Sequence, residues 1–380
     1  MLIAEGRGIA MRKKENIYIA GPECFYADGP KRLSAMRERA KSLGFGVTLP
    51  NDRPLDMSSE NLRHHADSIF ENLKQAMLDT TVILVDLEAY RGSEPDSGTI
   101  FEIGMAYAKG AKCYGFTRDK RPCACKDQRF SLRHGVVVDE HGREAPYQEL
   151  PFSPCVIGST RIVEGDFDDC LKLLILDLEE EEKRDGMRGA PAIAASTPAA
   201  AAADRPLKTG GKPTVYLSGP ERYDREGESI YNRMKEICSR HGLEAYGPLD
   251  WADSVSPVAT DSPYTAAANQ FDNACQHVRD CDAVIANLND FRGYECSNDV
   301  GFECGMAFQL GKKLFGYMDD TRPMKDRVPH LGAGQEYRDM TGANVENFDY
   351  PLNLMFSCSM KIWEGKFEEI VEKVAAELLP

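Results

Sequence analysis

The chain contains one unit twice, and that repetition constrains its fold more than any other feature. Ile17-Tyr18-Ile19-Ala20-Gly21-Pro22-Glu23 lines up with Val215-Tyr216-Leu217-Ser218-Gly219-Pro220-Glu221, and DSGTIFEIGMA from Asp96 lines up with NDVGFECGMA from Asn298. Between the copies, an acidic helical run, LKLLILDLEEEEKRD, gives way to GMRGAPAIAASTPAAAAADRPLKTGGKPT. This Ala/Pro/Gly segment has no apolar periodicity and predicts a flexible or semi-extended linker over 186–213. Domains are therefore expected at 16–185 and 214–380, behind a loose leader at 1–15 in which Met11 offers an alternative start.

Each copy alternates strand and helix signals. The short apolar runs that end in Gly-Pro predict buried strands, each delivering a tight turn. Leu33, Met36, Ala40 and Leu43 in one copy, and Tyr231, Met234, Ile237 and Cys238 in the other, are spaced to bury one helical face. Gly44 and Gly242 are candidate helix C-caps. A second helix, predicted over 68–78 and 270–279, leads into strands at 81–86 and 283–287 that carry a polar residue at the carboxyl end. Arg91-Gly92 and Arg292-Gly293, a loop, a helix bearing the glutamate, and strands at 112–116 and 313–317 complete the pattern. The alternation predicts an α/β class with a parallel sheet per copy and helices on both faces. Ligands in such sheets gather beyond the carboxyl ends of the strands.

Composition narrows the function. A formal net charge of -15 and a pI near 5.1 argue against a nucleic-acid partner, because binding a polyanion needs clustered Lys and Arg. No apolar run approaches the roughly 20 residues of a membrane span, and no signal-peptide pattern opens the chain. Twelve cysteines without paired metal spacings predict reduced thiols in a soluble, cytoplasmic protein. Cys123-Ala124-Cys125 lacks a second ligand pair, so no metal is expected.

The glutamates at 102 and 303 have two explanations. Thr99 and Glu102 fit a capping box, with Thr99 as the cap and Glu102 reaching back to its N–H. In the second copy Val300 stands three residues before Glu303 and cannot cap, which favours a site. Gly98 permits close backbone approach, and Gly104, Met105 and Ala106 make the following helix face small and apolar. A carboxylate near a helix N-terminus is stabilised by the dipole.

The ordered set YIAGPE, LVD, DSGTIFEIGMAYAKG and a late NLM resembles the nucleoside 2-deoxyribosyltransferase family over most of both copies. The resemblance implies two tandem flavodoxin-like (Rossmann-like) domains packed as a pseudo-dimer. It implies exchange of the base of a 2'-deoxynucleoside for a free nucleobase through a covalent deoxyribosyl-glutamate, with no cofactor. Glu102 would be the nucleophile, and Asp96 would orient it and shuttle a proton to or from the base. An ordinary loop or Asx-turn residue is the alternative for Asp96.

Tyr18, Gly21, Glu71, Asp86 and Gly98 would line or contact the substrate, with Glu71 in place of the family's aspartate. Core, turn and solvated-helix roles are the alternatives for Tyr18, Gly21 and Glu71. Phe25, Tyr26, Tyr223 and Phe291 could stack a base or pack the core. Asn353, in the NLM segment, would be lent by the second domain to the first site. The second site would use Tyr216, Gly219, Asp272 and Glu303, but Ser297 stands where Asp96 would and Ser153 where the partner asparagine would. Asp299, two residues on, is the nearest replacement carboxylate. The first site is thus expected to carry the activity and the second to be degenerate. An N-glycosidase that uses water as acceptor, and a nucleotide sensor with degenerate sites, are the rival functions. Assembly beyond the intramolecular pair stays open.

Overall fold

The computed structural model describes residues 14–50, 52–145, 149–188, 211–252, 262–332 and 336–380. Most of the leader and of the linker lies outside the described residues. In the first half the elements are β1 (Asn16–Ala20), α1 (Gly29–Ser42), β2 (Gly46–Thr48), α2 (Leu62–Leu78), β3 (Val82–Asp86), α3 (Ser97–Lys109) and β4 (Lys112–Thr117). There follow a short α4 (Cys123–Lys126), a hairpin of β5 (Ser131–Arg133) and β6 (Val136–Val138), α5 (Pro154–Ser159), β7 (Arg161–Glu164) and α6 (Phe167–Arg188). The second half repeats the order with β8 (Thr214–Ser218), α7 (Gly227–Arg240), β9 (Glu244–Tyr246), α8 (Pro263–Asp280), β10 (Ala283–Asn287), α9 (Asn298–Gln309) and β11 (Lys313–Met318). It closes with α10 (Met324–Arg327), β12 (His330–Leu331), β13 (Arg338–Asp339), α11 (Leu354–Ser357), β14 (Lys361–Glu364) and α12 (Phe367–Leu378).

Each half forms a five-stranded parallel sheet, in the orders β2-β1-β3-β4-β7 and β9-β8-β10-β11-β14. These are two doubly wound α/β units of the flavodoxin-like order, as the alternation predicts. The central strands are buried along nearly their whole length, which is why Ile17–Ala20 and Val82–Val85 read as continuous apolar runs. The helices before β3 and β10 start earlier than their apolar periodicity suggested. Asn61 caps α2 and Ser262 caps α8, and the extra turns at these ends are largely half-buried or exposed, each burying a single alanine, Ala66 and Ala267.

The halves share a core. Residues from α2, α3, α8 and α9 form one buried apolar cluster spanning both sheets, while two further clusters cover the outer faces of each sheet separately. Helices α3 and α9 cross at Gly104 and Gly305. A Cβ at Gly104 would sit 2.2 Å from the Phe302 carbonyl oxygen, and one at Gly305 would sit 1.9 Å from that of Phe101. Backbone-to-backbone contact at that crossing is what the glycine of each GMA triplet provides.

Charged residues latch the same interface in mirrored pairs. Arg91 reaches Glu295 (3.3 Å), Asp339 (3.0 Å) and the Asn344 carbonyl (2.6 Å) of the second half. Arg292 bonds Glu94 across the interface at 3.4 Å, Asp139 at 3.2 Å and the Glu144 carbonyl at 2.6 Å. Gly92 and Gly293 bridge between the two arginine turns, and the arginines take left-handed φ values of 49° and 53°.

Candidate active site

The turn after β1 is a 3-10 segment, Pro22–Phe25, entered through Gly21 at φ 156°. A Cβ at Gly21 would lie 2.2 Å from the Glu23 carboxyl and 2.9 Å from Asp86 Cβ, so only glycine fits there. This turn opens one wall of a cavity of about 200 Å³ beyond the carboxyl end of β1. Asp96, Gly98, Thr99 and Glu102 of the α3 end form a second wall, and Ile69 and Leu73 of α2 a third. Asn344, Glu346, Phe348 and Asn353 of the other half close it.

Asp96, not Thr99, caps α3. Its Oδ2 accepts from Thr99 N–H (2.8 Å) and from the Thr99 hydroxyl (2.6 Å), while Oδ1 has no partner. The capping box expected from Thr99 and Glu102 is therefore corrected: Glu102 sits one turn further in and faces the cavity instead. Glu102 is only 7% exposed and accepts a 2.6 Å bond from the Tyr18 hydroxyl at Oε1. Burial pushes its carboxyl up to about 8, against the Tyr18 bond, and the neighbouring Asp96 charge adds to the rise. Asp96 is raised as well, again by burial, with the Thr99 bonds opposing.

Asn353 caps α11 by accepting from Met355 N–H at 2.9 Å. Its side chain lies so close to Gly98 that a Cβ there would approach the amide nitrogen to 2.4 Å. The second half thus lends its asparagine to the cavity wall of the first. Phe25 also lines the cavity and stacks on Tyr90 with ring centroids 5.3 Å apart.

Three expected residues are not brought to their expected sites. Glu71 is 60% exposed and pairs with Lys74. The face of α2 that meets the cavity is set by Ile69 and Leu73, one turn apart, which turns residue 71 outward. Asp272 is exposed for the same reason of helical phase, since α8 buries Phe271, Ala274 and Cys275. Asp86 stands behind the Gly21 turn, bonding the Glu88 N–H at 2.8 Å and facing Glu23, outside the cavity lining. Burial beside Asp86 pushes Glu23 up to about 9.

The equivalent place in the second half is filled. Glu303, 1% exposed, accepts from Tyr216 (2.8 Å), Ser218 (2.5 Å) and twice from Arg222 (2.8 and 3.0 Å). Burial raises this carboxyl too, but here the Arg222 guanidinium opposes it. Ser218 and Arg222 occupy the positions of Ala20 and Cys24 in the first half, both of which line its cavity. Gly219 accepts from Tyr231 at 2.9 Å. Asp299, aligned with Gly98, accepts the Cys155 N–H at 2.9 Å and bonds Tyr223, doing across the interface what Asn353 does within its own segment. Ser297 and Ser153 hydroxyls are buried without partners.

Sequence reasoning missed Arg222, although a lone arginine directly after Gly-Pro-Glu, where the first copy has Cys24, was its signal. It also left Glu346 without a role. Among the described residues no group of His, Cys, Asp and Glu is placed to hold a metal ion, and no helix is long and apolar enough to cross a membrane. None of the twelve cysteines is in a disulfide.

A carboxylate-lined cavity at the switch point of a doubly wound sheet, closed by a second copy of the same unit, defines a two-domain α/β protein with a composite small-molecule site. The family model for nucleoside 2-deoxyribosyltransferase matches residues 17–145 and 215–355, and the chain belongs to that family. It is similar to a 2-desoxiribosyltransferase from Leishmania mexicana, at 28% identity over 44% of this chain and 99% of that one, with a TM-score of 0.36. A 2-deoxyribosyltransferase from Bacillus psychrosaccharolyticus is 16% identical over 42% of this chain and 90% of its own, with a TM-score of 0.28. An uncharacterized protein of Schizosaccharomyces pombe is 26% identical over 117 residues, 30% of this chain and 54% of its own, so the match spans about half of that relative.

Proposed function

We propose that the chain transfers 2-deoxyribose between nucleobases at the first-half cavity, with Glu102 as nucleophile and Asp96 as the group that orients it. The observation that carries this reading is a buried glutamate with a single described hydrogen bond, from Tyr18, in a cavity that Asp96 and Asn353 also line. One oxygen of Glu102 remains for C1' of a sugar. Its attack pushes out the base and captures the oxocarbenium-like charge, and a second displacement by the incoming base restores the configuration.

The substrate is a neutral nucleoside rather than a 5'-phosphate. Among the described residues, three carboxyl groups and no Lys, Arg or His line the cavity, so a phosphate would meet like charge without a counter-ion. Arg222 fills the second site, so turnover falls to the first alone. Incubating the protein with a 2'-deoxynucleoside and a different free base, then separating products by chromatography, tests the reading. A new deoxynucleoside supports transfer. Free deoxyribose that forms equally with and without acceptor base would make the protein a hydrolase instead.

A further inference from the structure

Glu346 enters the cavity from the second half and has no counterpart in the wall built by the first. It is 7% exposed, and its Oε2 has no hydrogen-bond partner. Phe348 and Asn344 of the same half line the cavity with it, as do Asp96 and Glu102 of the first half. A buried carboxyl oxygen left without a donor in a cavity wall is available to a ligand.

The three carboxyls of the cavity are equipped differently. Asp96 has two donors from Thr99 on one oxygen and stands at a helix N-terminus, both of which suit an anion. Glu102 has the Tyr18 hydroxyl. Glu346 has only the backbone N–H of Leu354 and lies within the field of Asp96 and Glu295, with buried Arg91 as the opposing charge. Three adjacent carboxyls in one enclosed space do not all ionise together. Glu102 and Glu346 have one donor each; Glu102 has to be ionised to attack, so of these two it is Glu346 that keeps the proton.

We propose that Glu346 is the general acid–base of the reaction, donating its proton to the departing nucleobase and recovering one from the incoming base. This assignment rests on the transferase reading above. In the first half-reaction a Glu102 oxygen lone pair forms the C1'–O bond as the C1'–N bond breaks. The electron pair of that bond goes to the base, which takes the Glu346 proton on a ring nitrogen or carbonyl oxygen and leaves neutral. In the second, the incoming base loses its N–H proton to the Glu346 carboxylate as its nitrogen attacks C1' and Glu102 is released. The catalytic proton therefore comes from one domain and the nucleophile from the other.

The test compares Glu346→Gln with the unmodified full chain on two donors: a natural 2'-deoxynucleoside and a 4-nitrophenyl 2-deoxyriboside, whose phenolate departs without protonation. Glutamine keeps the shape and a donor but cannot give up a proton. Loss of kcat by roughly 100-fold or more on the deoxynucleoside, with less than about a fivefold loss on the nitrophenyl donor, is expected. Equal losses on both donors, or none on either, would overturn the assignment while leaving the transferase reading intact. No turnover of either donor by the unmodified chain would overturn both. Should the variant not fold, the pH profile of the unmodified chain decides. An alkaline limb seen with the deoxynucleoside and missing with the nitrophenyl donor supports Glu346, and identical limbs with both refute a protonated acid.

Discussion

The two halves hold the same glutamate in opposite circumstances. Glu102 and Glu303 follow equivalent strands, sit one turn into equivalent helices and accept from equivalent tyrosines, Tyr18 and Tyr216. Around Glu102 the neighbouring positions are small, Ala20 and Cys24, and a cavity remains. Around Glu303 they are Ser218 and Arg222, whose donors take up both carboxylate oxygens. A nucleophile needs an available lone pair and room for an electrophile. Glu303 has neither and instead forms a buried ion pair with Arg222.

The largest effect that would break this comparison is on activity. Glu102→Ala is expected to lower base exchange by on the order of 10⁴-fold or more, the scale seen when a covalent nucleophile is removed. Glu303→Ala is expected to change the chemical step less than about threefold in whatever folded protein remains. Chromatographic exchange assays on the two variants, corrected for folded fraction, check it, and matched losses would show that both sites work.

Arg222→Ala sharpens the same contrast from the side of stability. The variant leaves Glu303 buried opposite no cation, and truncating one member of a buried pair costs about 3–5 kcal/mol. Urea unfolding followed by circular dichroism is expected to show that loss. The matching change in the first half, Cys24→Ala, removes a thiol at an open cavity and is expected to shift unfolding by less than about 1 kcal/mol. An equally mild Arg222→Ala would mean that the guanidinium is not what occupies the second site.

The contribution of the second half to the first site is tested by Gly98→Ala. The added methyl would stand 2.4 Å from the Asn353 amide and must push it off the cavity wall. Displacement of a positioning group by about 1 Å costs roughly 100-fold in rate, so kcat/KM is expected to fall by that order while the unfolding transition moves little. An unchanged kcat/KM would remove Asn353 from the site.

What could be read in the sequence divides along physical lines. The sheets were legible because buried parallel strands need unbroken apolar runs, and Ile17–Ala20 and Val82–Val85 supply them. The close crossing of α3 and α9 was legible only in part: glycines in both GMA triplets signalled a close approach without saying to what. Glu102, Asp96 and Asn353 could be nominated because the motifs that hold them, DSGTIFEIGMAYAKG and NLM, resemble those of the family. Glu71 was not excluded, since a one-residue change in helical phase separates a cavity wall from solvent and no local signal fixes that phase. The plug made by Arg222 was missed for a different reason. A single substitution creates it, and its consequence depends on a distance of 2.8 Å to a glutamate 81 positions away in the chain.

The smallest and most continuous effect concerns pH. Glu102 has to be ionised to attack, and burial holds its carboxyl up at about 8, above its ordinary value near 4.5. A raised carboxyl is protonated below that point, so the ionised fraction of Glu102 grows as pH rises through about 8, and with a deoxynucleoside the loss of the Glu346 proton sets the alkaline limb. On the acid side kcat/KM is expected to fall about tenfold per pH unit. Measuring kcat/KM for a deoxynucleoside from pH 5 to 9 locates the limb. A limb centred near 4.5 would mean that the cavity is wetter, or more positively charged when a nucleoside approaches, than three carboxyls and an apolar wall allow. The second half supplies the control: Arg222 opposes burial at Glu303, and Arg222→Ala, which leaves the first cavity untouched, is expected to leave this limb where it is. A limb that moved with Arg222 would locate turnover in the second half after all.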